Sequence, residues 1–241
     1  MREGCLKCLV WLLLFLMIAG VQPVFSAEVG PKAEFLLRAR FQHAGVDFPP
    51  ERIQLIALKE TRRLELWVWA HRKWQHIHDY PIFAASGHAG PKLKEGDKQV
   101  PEGFYRITAL NPNSKFHLSM RLGYPNPFDW QHAVEEGRQS PGSDIFIHGS
   151  AWSVGCLAIG NQNVEELYAL VSQIGTERVQ VMIVPYDFRI RHYSAAKNDP
   201  PWLESLYGYL KLRMNQFPLG AKMRGCSVDC LMHQARLIPQ R

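Results

Sequence analysis

Cysteine is scarce in this chain of 241 residues, with five in all, and a fold built on a disulfide framework is excluded at that length. Glycine (18) and proline (16) are too few for a collagenous or low-complexity chain. Charge of one sign is not in marked excess. The 28 Lys and Arg stand against 22 Asp and Glu, a net +6 that is modest and dispersed, which argues against a nucleic-acid binder. The longest apolar run near the start, Leu9 to Ala19, has 11 residues and falls short of the roughly 20 that span a bilayer. No internal repeat is visible. What remains, 46% hydrophobic and 21% charged residues, is an ordinary globular balance and not that of a disordered chain.

The short apolar run has a different use. Arg2 and Lys7 precede it, and Val24 and Ser26 supply small residues before a cut after Ser26 or Ala27, so residues 1–27 read as a cleavable export signal, with an uncleaved anchor as the rival. Cleavage removes Arg2, Lys7 and Glu3, a net +1, and takes the chain from +6 to +5. It also removes Cys5 and Cys8 and leaves Cys156, Cys226 and Cys230. In an oxidising compartment Cys226 and Cys230 could pair, although their spacing is awkward on a regular helix. Cys156 is then the odd thiol, either a reactive group or a buried small hydrophobe.

The remaining chain reads as a helical lead-in (28–51), one β-rich domain (52–186) and a helical C-terminal extension (187–241). Strands are expected at Ile53–Leu58, Leu64–Trp69, Trp74–Phe83, Phe104–Leu110, Phe116–Leu122, Asp144–His148 and Val179–Val184. Ala84–Glu102 is a long Gly-, Pro- and charge-rich connection. One internal helix is expected over Asn163–Ile174, with Gly175 as its stop. Pro200-Pro201 opens the C-terminal helix, which runs to Phe217 ahead of a basic tail, Lys222–Arg241. Strand follows strand without regular crossover helices, which disfavours a parallel α/β fold. Trp67, Trp69 and Trp74 are read as core.

Chemistry concentrates in Ile145-Phe-Ile-His148-Gly149-Ser-Ala-Trp152-Ser153-Val-Gly155-Cys156. A strand ends at His148, a loop follows, and Cys156 is expected just before a helical segment. Backbone N–H groups and a histidine at such a junction lower a thiol pKa. A thiolate is a strong nucleophile and imidazole a suitable proton carrier. The N–H groups of Gly155 and Cys156 are candidates to hold a developing oxyanion. Ser153 either supports the loop and the imidazole or closes a turn. Trp152 either lines the cleft or packs beneath the loop.

These residues resemble the L,D-transpeptidase catalytic domain of the YkuD type, specifically its YafK-like branch. The family's His-Gly and Ser-x-Gly-Cys motifs are matched by His148-Gly149 and Ser153-Val154-Gly155-Cys156. Gly90-Pro-Lys, Glu95-Gly-Asp and Pro101-Glu-Gly resemble the loop before a core strand. Leu110-Asn-Pro-x-Ser114 and Gly123-Tyr124-Pro125-Asn126 resemble the YafK-like branch. Two departures stand out: Val154 replaces a common His, and Leu157-Ala158-Ile159 lacks the Arg that many members carry after the cysteine.

The resemblance implies a mainly β, sandwich-like L,D-transpeptidase fold with one internal helix and a helical C-terminal extension. It implies a ping-pong acyl transfer in cell wall biogenesis and cell shape. Cys156 would attack the carbonyl of diaminopimelate in a peptidoglycan stem peptide, and His148 would shuttle the proton. An amine acceptor then yields a cross-link, and water yields cleavage of peptidoglycan or peptidoglycan–lipoprotein links. Gly149, Trp152, Tyr124 and Asn126 are the substrate-side candidates, with a turn role as the alternative for the last two. The implied partners are stem peptides and a wall-linked lipoprotein, in the periplasm. No cofactor and no nucleic acid are implied, and the membrane enters only through an uncleaved signal.

Three rival readings are weaker. The ten histidines invite a zinc site, but no His-x-x-x-His or Cys-x-x-Cys pattern accompanies His71, His76, His78 and His88. Papain-like and NlpC-type peptidases place Cys before His, the reverse of the order here. A non-catalytic wall-binding module would not need a histidine and a glycine-flanked cysteine together.

Overall fold

A computed structural model describes residues 30–219. The export signal, Cys5, Cys8, Cys226, Cys230 and the basic tail lie outside the described residues. The elements run α1 (Pro31–Ala44), β1 (Ile53–Leu58), β2 (Arg63–Ala70), β3 (Lys73–Pro81), β4 (Gly103–Ser114), β5 (His117–Leu122), α2 (Pro127–Glu135), β6 (Phe146–His148), β7 (Leu157–Ala158), α3 (Asn161–Ile174), β8 (Val179–Val184) and α4 (Leu203–Met214).

The eight strands form one mixed sheet in the order β3-β2-β1-β8-β4-β5-β6-β7. β1 is central and buried on both faces. It pairs antiparallel with β2 and parallel with β8, with Ile53 opposite Val68 and Val179. Because successive side chains alternate between faces, Leu55 and Ala57 join one core cluster while Ile56 and Leu58 join another. The first core takes Leu37 and Phe41 of α1 with Val164, Leu167 and Val171 of α3. The second takes Leu206, Leu210 and Met214 of α4 with Phe217, Trp67 and Trp74. The β1–β2–β8 region is therefore covered by helices on both sides.

β4 carries the sheet onward. Its first residues, Gly103–Arg106, pair with β8, and the remainder pairs with β5. The register shifts between Ile107 and Ala109 and again between Asn111 and Ser114, breaks that bend and twist a strand. β5 passes the sheet to β6, and β6 pairs in parallel with β7. A backbone bridge joins Ala158 of β7 to Ala84 beyond β3.

The fold is mainly β with helices, as expected, and differs from the sequence reading in two places. A second internal helix, α2, stands where none was expected. Its signal was Asn126-Pro127-x-Asp129: Asn126 caps the helix, its side chain accepting from the Asp129 N–H while the Asp129 carboxylate accepts from the Asn126 N–H, with Pro at the first helical position. Cys156 also does not lead into a helix; it precedes the two-residue strand β7, and α3 begins only at Asn161.

The connection 84–102 is ordered by buried charges. The Lys59 ammonium donates to a Glu102 carboxylate oxygen (2.8 Å) and to the carbonyls of Gly90 (3.0 Å) and Val100 (2.9 Å). Glu102 also accepts from the Gly90 N–H (2.9 Å) and from the Tyr207 hydroxyl of α4. Asp97 accepts from the N–H groups of Leu93, Lys94 and Gln99 and from Lys92 (2.6 Å). This packed loop forms one flank of the site described next.

Candidate active site

β6 and β7 position the two chemical groups. Ile147 lies opposite Leu157 and His148 opposite Ala158, so Cys156 follows on opposite Phe146. Ile147 and Leu157 point into the core. Alternation then places Phe146, His148 and Cys156 together on the other face. His148 is buried beneath the ring of Phe116, centroids 4.6 Å apart. Its Nδ1 lies 2.6 Å from the Gly149 carbonyl oxygen. A carbonyl only accepts, so Nδ1 carries the proton and Nε2 presents a lone pair. No described residue hydrogen-bonds Nε2. Burial holds the imidazole pKa below its ordinary value, only partly offset by the Gly149 carbonyl.

The thiol corrects an expectation. Burial pushes the Cys156 pKa up, and Asp144 adds to the rise; the Phe146 N–H and the charge of Lys92 offset only part of it. Sγ points toward the Asp144 carbonyl oxygen at 3.7 Å, and no hydrogen bond joins it to His148. Both shifts favour the neutral forms, thiol and imidazole, over the thiolate that a loop–helix junction would have favoured.

The loop between them is held by two serines. The Ser153 hydroxyl accepts from Cys156 N–H (2.9 Å) and donates to Cys156 C=O (2.7 Å), closing a turn. Ser153 makes no hydrogen bond to His148. The Gly155 N–H donates to the Ser86 hydroxyl (2.6 Å), which in turn donates to the Lys98 carbonyl (2.7 Å). Both N–H groups expected to receive an oxyanion are thus engaged by hydroxyls. Ser86 had no signal in the sequence beyond its place in a polar connection. Gly155 has φ +90°, a conformation that favours glycine.

The substrate-side candidates divide. Trp152 and Val154 are 81% and 71% exposed, so Trp152 does not pack beneath the loop. Gly149 is needed for close packing: a Cβ there would stand 2.6 Å from Phe116 O and 2.7 Å from Asn161 Oδ1. Tyr124 and Asn126 are both held by the fold, and both line a groove that does not contain Cys156. Tyr124 is buried, and its hydroxyl donates to the Pro141 carbonyl (2.7 Å). The Asn126 side chain is committed to capping α2 and to the Phe104 carbonyl (3.0 Å). Leu157, Ala158 and Ile159 are fully buried. Among the described residues no cluster of His, Cys, Asp and Glu could hold a metal ion, and no helix is long and apolar enough to cross a membrane.

The L,D-transpeptidase catalytic domain family, YkuD, matches residues 54–183, over half of the chain. The chain belongs to that family. The Escherichia coli K12 protein named "Putative L,D-transpeptidase YafK" is 33% identical over 159 residues, a match that takes in 63% of this chain and 62% of that protein. The chain therefore spans less than two thirds of this relative. Among solved structures, the helical cell shape determining protein Pgp2 from Campylobacter jejuni is 22% identical, with 71% of this chain and 59% of that chain covered and a TM-score of 0.47. Bdellovibrio bacteriovorus Bd1075 is 20% identical, covering 69% and 55%, with a TM-score of 0.42. The YkuD match encloses the whole His148–Cys156 segment.

Proposed function

We propose that this chain is an exported peptidoglycan-modifying acyltransferase that works through a Cys156 acyl-enzyme. The observation that carries the reading is the register of β6 against β7, which sets Cys156, the residue before β7, on the same face as His148, with the imidazole lone pair at Nε2 left free by the Nδ1–Gly149 hydrogen bond. A neutral thiol requires its proton to leave as the bond to carbon forms, so His148 serves as general base in the attack and as general acid toward the leaving amine. The stem-peptide carbonyl oxygen exchanges with the Ser86 hydroxyl at the Gly155 N–H, which then stabilises the developing negative charge. Ser153 keeps the Cys156 backbone in place throughout. Aminolysis of the acyl-enzyme yields a cross-link or an attached lipoprotein; hydrolysis yields cleavage.

The test is incubation of the purified protein with peptidoglycan, with and without bound lipoprotein, followed by product analysis. Cys156→Ala is expected to abolish turnover, and a carbapenem is expected to add its mass to Cys156 in the unaltered chain. Full activity of Cys156→Ala would refute the mechanism. The ratio of cross-linked to trimmed products assigns transfer or hydrolysis.

A further inference from the structure

A cavity of about 1150 Å³ lies away from Cys156. It is a groove between β4, the end of β5, α2 and α4. Phe104, Tyr209 and Leu212 line it and are 40%, 65% and 67% exposed. Three arginines also line it. Arg106 has no hydrogen-bond or ion-pair partner among the described residues. Arg213 has no carboxylate partner among the described residues; it meets the amide oxygens of Gln54, Gln180 and Gln216, aromatic rings and the repelling charge of Arg52. Arg121 pairs with Asp144 at 3.1 Å, but both side chains are about half or more exposed (49% and 65%), and such a pair is weak and exchangeable.

The acids of the groove do not neutralise these cations. Glu102 is buried against Lys59 and Tyr207. Asp129 is turned inward to the Asn126 N–H (2.9 Å) and the Tyr105 hydroxyl (3.3 Å). The groove is thus an apolar trough with a positive wall, and that wall leads to the nucleophile. Arg121 lies opposite Phe146, two residues before His148 on the same face. Its ion partner Asp144 supplies the carbonyl that Sγ approaches at 3.7 Å.

We propose that this groove binds an acidic peptide arm of the substrate, with Arg121 and Arg106 taking a free carboxylate in the place Asp144 now occupies. The assignment rests on the acyl-transfer reading for its substrate class, and charge complementarity selects the occupant. Guanidinium groups hold carboxylates through paired, charge-assisted hydrogen bonds, so amidation of the ligand removes what the wall recognises.

The test uses a synthetic stem tetrapeptide with free carboxylates and the same peptide with those groups amidated. Binding is measured by calorimetry on the full chain carrying Cys156→Ala, which separates binding from turnover. The free acid is expected to bind at least tenfold tighter than the amide. Arg121→Gln should erase most of that ratio, Arg121→Lys should keep part of it, and Arg106→Gln should reduce it further. Absence of binding, equal affinity for acid and amide, or a ratio that survives the Arg106→Gln/Arg121→Gln double variant overturns the proposal. Carbapenem acylation of Cys156 in the otherwise unaltered chain reports on the chemistry separately. If acylation fails while acid preference depends on Arg121, the groove stands and the acyl-transfer reading falls. If acylation succeeds without acid preference, the reverse holds.

Discussion

Replacing Lys59 with Met should be among the most damaging single changes outside the apolar core. The Lys59 and Glu102 side chains are 6% and 0% exposed, and removal of the ammonium leaves a buried carboxylate with only the Gly90 N–H and Tyr207 hydroxyl as donors. Breaking one side of a buried ion pair costs about 3–5 kcal/mol. The Val100 carbonyl loses the Lys59 donor as well, and the Gly90 carbonyl keeps only a long contact from Gln99 Nε2 (3.5 Å), which holds the estimate at the upper end of that range. With a loss of about 4–5 kcal/mol and about 2–4 °C per kcal/mol for a chain of this size, Tm should fall by about 8–20 °C. Burial lowers the Lys59 pKa and the Glu102 carboxylate opposes that shift without reversing it, consistent with a pair whose desolvation offsets its attraction. Lys59→Met/Glu102→Leu should therefore recover much of the loss. Urea denaturation of wild type, both single variants and the double variant closes the cycle. A Lys59→Met loss below about 1 kcal/mol, or a double variant worse than the sum of the singles, would refute the argument.

Four further outcomes are expected. Iodoacetamide alkylation of Cys156 should climb steadily with pH through the alkaline range, because burial holds the thiol protonated; a plateau below pH 7 would indicate a resting thiolate. His78 is held at about 4, by burial and then by Arg40. A depressed folded value means the unfolded chain takes the proton first, so stability present above pH 6.5 is lost as pH falls toward 4. Allowing for solvent screening, His78→Gln should spare about 1 kcal/mol of the loss between pH 7 and 5, read by urea midpoints. Gly149→Ala forces Phe116 O and Asn161 Oδ1 apart and should cost about 1–3 kcal/mol in the same assay. Asn126→Ala removes the side-chain half of its capping box and leaves the backbone N–H that donates to Asp129, and should cost about 1 kcal/mol; an unchanged midpoint would show that α2 does not depend on the cap.

The strands were legible because apolar alternation and charged turns mark them locally. α3 was legible for a related reason: Val164, Leu167, Tyr168 and Val171 repeat on one face and Gly175 stops the helix. β7 was not legible. Two residues carry no period, and Leu157–Ala158 is a strand only because Ile147 and His148 lie beside it. α2 was hidden by its short length, although its cap was written in the sequence. At the site, His148 and Cys156 stood out through their flanking glycines, but their protonation did not, because burial is a property of the assembled fold. The surroundings of Tyr124 and Asn126 were hidden for the same reason: a polar pair beside proline reads as a surface turn until Pro141, Phe104 and Asp129 are found around it. Ser86 reaches Gly155 across 69 positions of chain, a distance no local pattern reports.

The bridge between Ala84 and Ala158 has a topological consequence. β3 and β7 are the two ends of the strand order, and Ala84 follows β3 directly. The Phe83 N–H donates to the Ala158 carbonyl (2.8 Å), and the Ala158 N–H donates to the Ala84 carbonyl (3.0 Å). The segment just past β3 is there stitched to the outer edge of β7, so that short edge has no free backbone groups for another chain to pair with. A peptide approaching Cys156 cannot dock as a further strand on β7. It has to be met by side chains from above, and strand-to-strand association of two copies is blocked at the same seam.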